Sequence, residues 1–400
     1  MFNVENIKTG LYSMVIFRNL IEDPVIDKFI NMVDYMDKDV NMAVKTYSDF
    51  VSKLFESNMN LSDYILNIVL ENENIYMLKK SQESDTDKIL EQCLYNELKI
   101  LEKLSEVKSE EIKSNISYDG FLPDWRNSNY NFVDVYNERI KNIHSHGYGI
   151  FAKYHTFMID GNINGVNIVP VKNPDNTRLS DLGGYERERK AVIDNTIALL
   201  EGKPAANVLL YGDSGTGKSS SVKAIANEFA NKGLRLIELR KNQLRLMPSL
   251  LDTLSLNPLK FILFIDDLSF TQNDDDFAAL KAILEGSVSA KAGNLVIYAT
   301  SNRRHLIKET FGDRDGDDLH VNDTIQELVS LSERFGLTVT FQKPDKQKYI
   351  EVINGLADNY EIKMNREELA KQAESYAVRR NGRSPRIAKQ FIEMIKASEE

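Results

Sequence analysis

The chain has 400 residues, 42% of them hydrophobic, a single cysteine and a formal net charge of −10. That length and apolar fraction suffice for two or three packed cores, which excludes a disordered or fibrous chain. The lone Cys93 excludes an internal disulfide and argues against structural zinc, as expected of a reducing, cytoplasmic setting.

No apolar run approaches the roughly 20 residues needed to cross a bilayer. The opening MFNVENIKTG lacks the basic-then-apolar layout of a secretory signal. Residues 1–170 hold 26 acidic and 17 basic side chains, whereas 171–400 hold 34 and 33. An acidic front half is a poor nucleic-acid clamp, because nonspecific binding depends on lysine and arginine displacing counterions from phosphates.

Up to residue 147 the pattern is helical. Ile26, Phe29, Ile30 and Val33 recur at helix spacing, as do Leu61, Tyr64, Ile65 and Ile68, then Leu90, Leu94, Leu98 and Leu101. No cluster of histidine, cysteine or carboxylate lies among these stripes, so they predict the core of a helical bundle. Trp125 reads as a core or interdomain anchor. From Gly149 the sequence GIFAKYHTFMIDGNINGVNIVPV alternates apolar and polar residues around Gly and Asn, which predicts a hairpin. VKNPDNTRL then reads as a linker, placing a boundary near 175.

Beyond it, NVLLYG, LRLIEL, KFILFID, NLVIYATS and LTVTF alternate with helical stretches. Five strands with crossovers predict an α/β fold with a five-stranded parallel sheet covered on both faces. From Asp345 the tail is helical again.

The segment GDSGTGKS, residues 212–219, fits the phosphate-loop pattern in full. Gly212, Gly215 and Gly217 let successive N–H groups turn inward beside the positive end of the next helix. The candidate nucleotide contacts are therefore Gly212, Asp213, Ser214, Gly215, Thr216, Gly217, Lys218, Ser219 and Ser220. Lys218 is placed to reach the outer phosphates and Ser219 to ligate magnesium. Downstream, FILFIDDLSF ends an apolar strand in two acids, which puts Asp266 at the carboxyl edge of the sheet where open α/β folds bind ligands. Two adjacent carboxylates at a buried edge would repel unless a cation offset them, so Asp266 is expected to anchor magnesium and Asp267 to position or deprotonate water.

With these parts, the chain resembles the AAA+ ATPases. NLVIYATSN ends in Asn302 where that family carries a polar γ-phosphate sensor. LSERFGL puts Arg334 just before the last strand, similar to the family's arginine finger. GRSPRIAKQFIE resembles its second sensor, with Ser384 as cap, Pro385 in the first helical position and Arg386 in the first turn. The wording of DLGGYERERKAVIDNT, FILFIDDLSF, YATSNRRHL and SLSERFGL is closer still to one bacterial AAA+ family known only as domain of unknown function 815, over roughly residues 150–397.

The resemblance implies ATP as the nucleotide, with Leu182 and Gly183 in the segment that wraps the adenine. It implies Mg2+, a homo-oligomer in which a hexamer is one candidate, and catalytic roles for Lys218, Asp266, Asp267, Asn302, Arg334 and Arg386. It divides the chain into a helical domain (1–147), a hairpin and linker (148–175), an ATPase core (176–343) and a helical lid (344–400).

Two departures predict slow turnover: Asp267 stands where hydrolysing members carry glutamate, and Pro385 where glycine is usual. RKNQLRLMPSLLDTLSLNPLK lacks the aromatic-glycine pore loop of polypeptide-threading members. The expected activity is slow ATP hydrolysis driving a conformational or assembly switch on an unknown protein partner held by the helical front domain. Two alternatives stand beside it: a nucleic-acid loader using Arg240, Lys241 and Arg245, and an ATP-gated module with negligible hydrolysis. The basic trio Arg303, Arg304 and His305 reads as a solvated turn. GDRDGDDLHVND fails as a calcium loop because Gly316, counted from Asp313, stands at the fourth rather than the sixth position.

Overall fold

A computed structural model describes residues 2–82, 84–162, 165–269, 275–284, 293–302, 333–380 and 382–399. Arg303, Arg304, His305 and the acidic loop around Gly316 lie outside them. The chain divides into two units, Met1–Lys153 and Tyr154–Glu400.

In the first unit the apolar stripes become buried helix faces. The helix Pro24–Tyr35 buries Ile26, Phe29, Ile30 and Val33. Its start is set by Pro24 at the first helical position and by Asp23, which accepts the Val25 and Ile26 N–H groups. Leu61–Glu71 starts at an Asn60 cap, and Lys88–Ser105 starts at an Asp87 cap and buries Leu94, Leu98 and Leu101. Trp125 belongs to this core: it packs on Tyr47 and Phe50 and donates from Nε1 to the Val107 carbonyl at 2.9 Å.

The second unit is built on β1 (Thr156–Asn162), β2 (Gly165–Pro170), β3 (Val208–Gly212), β4 (Leu234–Leu239), β5 (Lys260–Ile265), β6 (Leu295–Ser301) and β7 (Leu337–Phe341). These strands form one sheet in the order β2-β1-β4-β5-β6-β3-β7. The expectation of five strands is thus corrected: among the described residues the sheet has seven. The five expected strands run parallel, and the hairpin of β1 and β2 extends them because β1 pairs in parallel with β4. Only β2 runs antiparallel. The hairpin therefore widens the sheet. It also begins later than its sequence pattern, since Ile150–Lys153 is a short helical turn.

The strands β4, β5 and β6 are buried almost throughout, which is why they read as unbroken apolar runs rather than alternating ones. Parallel register puts the carboxyl ends together: Gly212 stands opposite Phe341, Tyr211 opposite Ser301, and Ile265 opposite Ala299. The residues that follow β3, β5 and β6 therefore emerge along one edge. The C-terminal helices Lys346–Asn359, Arg366–Arg379 and Pro385–Glu399 bury a core of their own around Tyr349, Ile353, Leu369, Phe391 and Ile392.

Candidate nucleotide-binding site

After β3 the chain turns through residues 213–217 into the helix Lys218–Phe229, whose first-turn amides have no intrahelical acceptor. The turn depends on glycine. Gly215 has φ +78° and Gly217, at the helix cap, φ +91°, a region that L side chains enter at a cost. A side chain on Gly212 would run into the Phe341 carbonyl of the neighbouring strand.

Lys218 is buried, and its Nζ donates to the Gly212 carbonyl at 2.8 Å, the Asp213 carbonyl at 2.7 Å and Asn302 Oδ1 at 3.0 Å. Desolvation pulls its pKa below the ordinary lysine value, against the opposing pull of Asp213, Asp267 and Asp266. Asn302 in turn donates from Nδ2 to Asp267 Oδ1 at 2.9 Å. Ser219 Oγ donates to Asp266 Oδ1 at 2.6 Å, and Thr300 Oγ1 donates to the same oxygen.

The edge differs from expectation in one respect. Both Asp266 and Asp267 are exposed, so their mutual repulsion is screened by water and needs no cation to offset it. They also face different partners, Asp266 the hydroxyls and Asp267 the Asn302 amide. Magnesium is favoured instead by the donors. A hydroxyl and a carboxylate meet beside a phosphate-type loop, and no bond from the described residues reaches Asp266 Oδ2. Hard oxygens of this kind, one carboxylate with the rest left to water and phosphate, suit Mg2+.

A cleft of about 420 Å³ runs past these groups. Ser214, Gly215, Thr216, Gly217, Lys218, Ser219 and Ser220 line it together with Asp266, Asp267, Asn302 and Arg386. Leu182 and Gly183 lie on its wall beside Val352 and Leu356. Gly212 and Asp213 stand behind the loop: Asp213 Oδ2 accepts the Lys343 N–H at 2.8 Å, tying the loop to the strand-to-helix connection. Ser384 is buried and caps the last helix by accepting the Ile387 N–H at 3.3 Å. The Arg386 N–H reaches the Gly215 carbonyl at 3.2 Å.

Arg334 is not on this cleft. It precedes β7 by three residues, and β7 begins opposite Val208 and ends opposite Gly212, so Arg334 lies beyond the far end of a strand about 13 Å long.

Thr300 and Arg189 are among the cleft residues that escaped sequence reading. Thr300 stands near the end of β6, and what it does there depends on the loop after the neighbouring β5, 34 residues earlier in the chain. Arg189 is buried and holds the Leu182 carbonyl at 2.7 Å through Nη2. Nothing in the charged run ERERK marks which residue turns inward.

Strand order, phosphate loop and acids gathered at one edge define a P-loop core of the AAA+ kind. The chain belongs to the DUF815 family, whose model, described as "Protein of unknown function (DUF815)", matches residues 152–399. It is also 36% identical over 90 residues to the 26S proteasome regulatory subunit 4 homolog of Dictyostelium discoideum, a match spanning 20% of each chain. Among solved structures it is similar to the Thermotoga maritima RuvB Holliday junction branch migration motor, at 16% identity and a TM-score of 0.37 over 54% of this chain and 63% of that one. A point mutant of the same RuvB matches at 15% identity and a TM-score of 0.38, over 56% and 67%. This chain therefore covers a fifth of the first relative and less than two thirds of the first RuvB chain.

Proposed function

We propose that the chain binds ATP with Mg2+ at the phosphate loop, hydrolyses it slowly, and uses the nucleotide state to reposition its C-terminal helices as a lid. The observation that carries this reading is the continuous hydrogen-bonded set Asp267–Asn302–Lys218 beside the pair Ser219–Asp266, all on one cleft.

In this reading the loop amides and Lys218 hold the phosphates, Ser219 and Asp266 hold the metal, and Asn302 senses the γ-phosphate through its contacts on both sides. Magnesium, when bound, supplies charge neutralisation on the transferring phosphoryl group. Asp267 orients the attacking water, and its carboxylate, a methylene shorter than glutamate and drawn toward Asn302, makes turnover slow. Leu182 and Gly183 receive the adenine, and Arg386 reports the phosphates to the lid.

Arg334, remote from its own cleft, acts on a neighbouring subunit, which requires a homo-oligomer. The protein client is held by the helical front unit. The nucleic-acid alternative is weakened by the ion pair of Arg245 with Asp276 at 3.5 Å.

Mixing Lys218→Ala with Arg334→Ala subunits tests the core of this. Each variant alone should be inactive, and mixed assemblies should recover phosphate release. No recovery, with mixed assembly demonstrated, rules out the finger in trans. Negligible release by wild type at every protein concentration makes the chain an ATP-gated module.

A further inference from the structure

Behind the two acids lies a single hydroxyl. Thr300, the penultimate residue of β6, is 2% exposed. Its Oγ1 donates to Asp266 Oδ1 and accepts the Asp267 N–H at 2.9 Å, and its main-chain carbonyl accepts the Leu268 N–H at 2.7 Å. One residue thus holds three consecutive positions of the loop after β5.

Asp267 needs such a hold. Its φ is +52°, a left-handed conformation that costs a non-glycine residue roughly 1–2 kcal/mol and persists only where neighbours over-determine it. The twist turns the Asp267 carboxylate to Asn302 Nδ2, and Asn302 then meets Lys218.

We propose that Thr300 is a positioning residue: through its hydroxyl it aims Asp266 at the metal and Asp267 at the attacking water. The inference rests on the ATPase reading above and deepens it. Valine matches threonine in shape but neither donates nor accepts. It would leave the Asp267 N–H with only its 3.2 Å contact to Asp266 Oδ1, and would leave that oxygen with one hydroxyl donor, Ser219, in place of two. Serine keeps the hydroxyl.

Full-length wild type, T300V and T300S should be compared in calorimetric ATP titrations with and without Mg2+, and in phosphate release. Groups that orient a metal's ligands typically carry about 10–100-fold in metal affinity or activity. T300V should therefore lose that factor in kcat with KM little changed. The gain in ATP affinity that Mg2+ confers should shrink, while affinity without Mg2+ stays at the wild-type level. T300S should restore both.

The proposal is overturned if T300V keeps the wild-type kcat and Mg2+ gain, or if a T300S of wild-type melting temperature is as impaired as T300V. Wild type that binds ATP under neither condition overturns the ATPase reading itself. Wild type that binds Mg2+ and ATP beside an indistinguishable T300V overturns this inference alone. Where T300V folds poorly, T300A carries the same expectation, since it too lacks the hydroxyl.

Discussion

Glu97 in the first unit and the pair Asp266–Asp267 in the second are carboxylates put to opposite uses. Glu97 is 4% exposed and saturated by main chain: Oε1 accepts the Val15 and Ile16 N–H groups at 2.8 and 3.1 Å, and Oε2 those of Ile16 and Phe17 at 3.0 and 2.9 Å. It closes the turn after the first helix and has no capacity left for a ligand. Asp266 and Asp267 are exposed, bonded through hydroxyls and an amide side chain, and line a cleft. Fixed main-chain donors make a carboxylate structural, whereas open valences beside rotatable partners leave it available for chemistry.

The contrast is sharpest under mutation. Asp267→Asn should cut phosphate release by about 10²–10⁴-fold, the usual worth of a positioned general base, while ATP affinity and melting temperature hold. Normal turnover in that variant would remove Asp267 from the mechanism. Glu97→Ala should do the reverse. Three N–H groups, two of them buried, lose their acceptor, a destabilisation of about 3 kcal/mol in urea unfolding, with ATP affinity of the folded protein unchanged. A fall in that affinity would show the two regions to be less separate in function than their carboxylates suggest.

A smaller effect is expected at Gly215→Ala. The added methyl would stand 3.2 Å from Ser384 Oγ and 3.4 Å from Arg386 Cβ at a φ of +78°. A backbone penalty of roughly 1–2 kcal/mol should appear as about a tenfold weaker ATP affinity in calorimetry; unchanged affinity would mean that the loop and the last helix part without consequence.

The smallest effect is one of pH. Arg383 holds the Glu374 carboxyl below its ordinary value of 4.5 through bonds of 2.9 and 2.8 Å. A depressed carboxylate stabilises the fold above the unfolded pKa and loses that contribution as pH falls through the folded one. Melting temperatures of wild type and Glu374→Gln should therefore differ slightly above pH 4.5 and converge below it. A difference that persists in acid would assign the effect to packing.

Much of the site was legible because its parts are local. Lys218, Ser219 and Asp266 each follow an apolar strand within a residue or a short turn, and Asn302 ends another, so an apolar run and a polar break sufficed to place them. The front helices were equally plain, since a period of 3.6 needs no partner to be seen. Thr300 and Arg189 were missed for the opposite reason. The work of each depends on a neighbour distant in sequence or on the inward turn of one charge among several.

The amino-acid order by itself determined the phosphate loop, the strand-and-helix alternation and the helical character of both ends, because backbone preference and hydrophobic period act within a few residues. Tertiary structure alone decided that the hairpin joins β4, that Asp267 takes its left-handed turn under Thr300, and that Arg334 lies away from its own cleft. Those outcomes follow from which strands lie side by side, and lateral order is set by the packing of whole faces, which no short stretch of chain encodes.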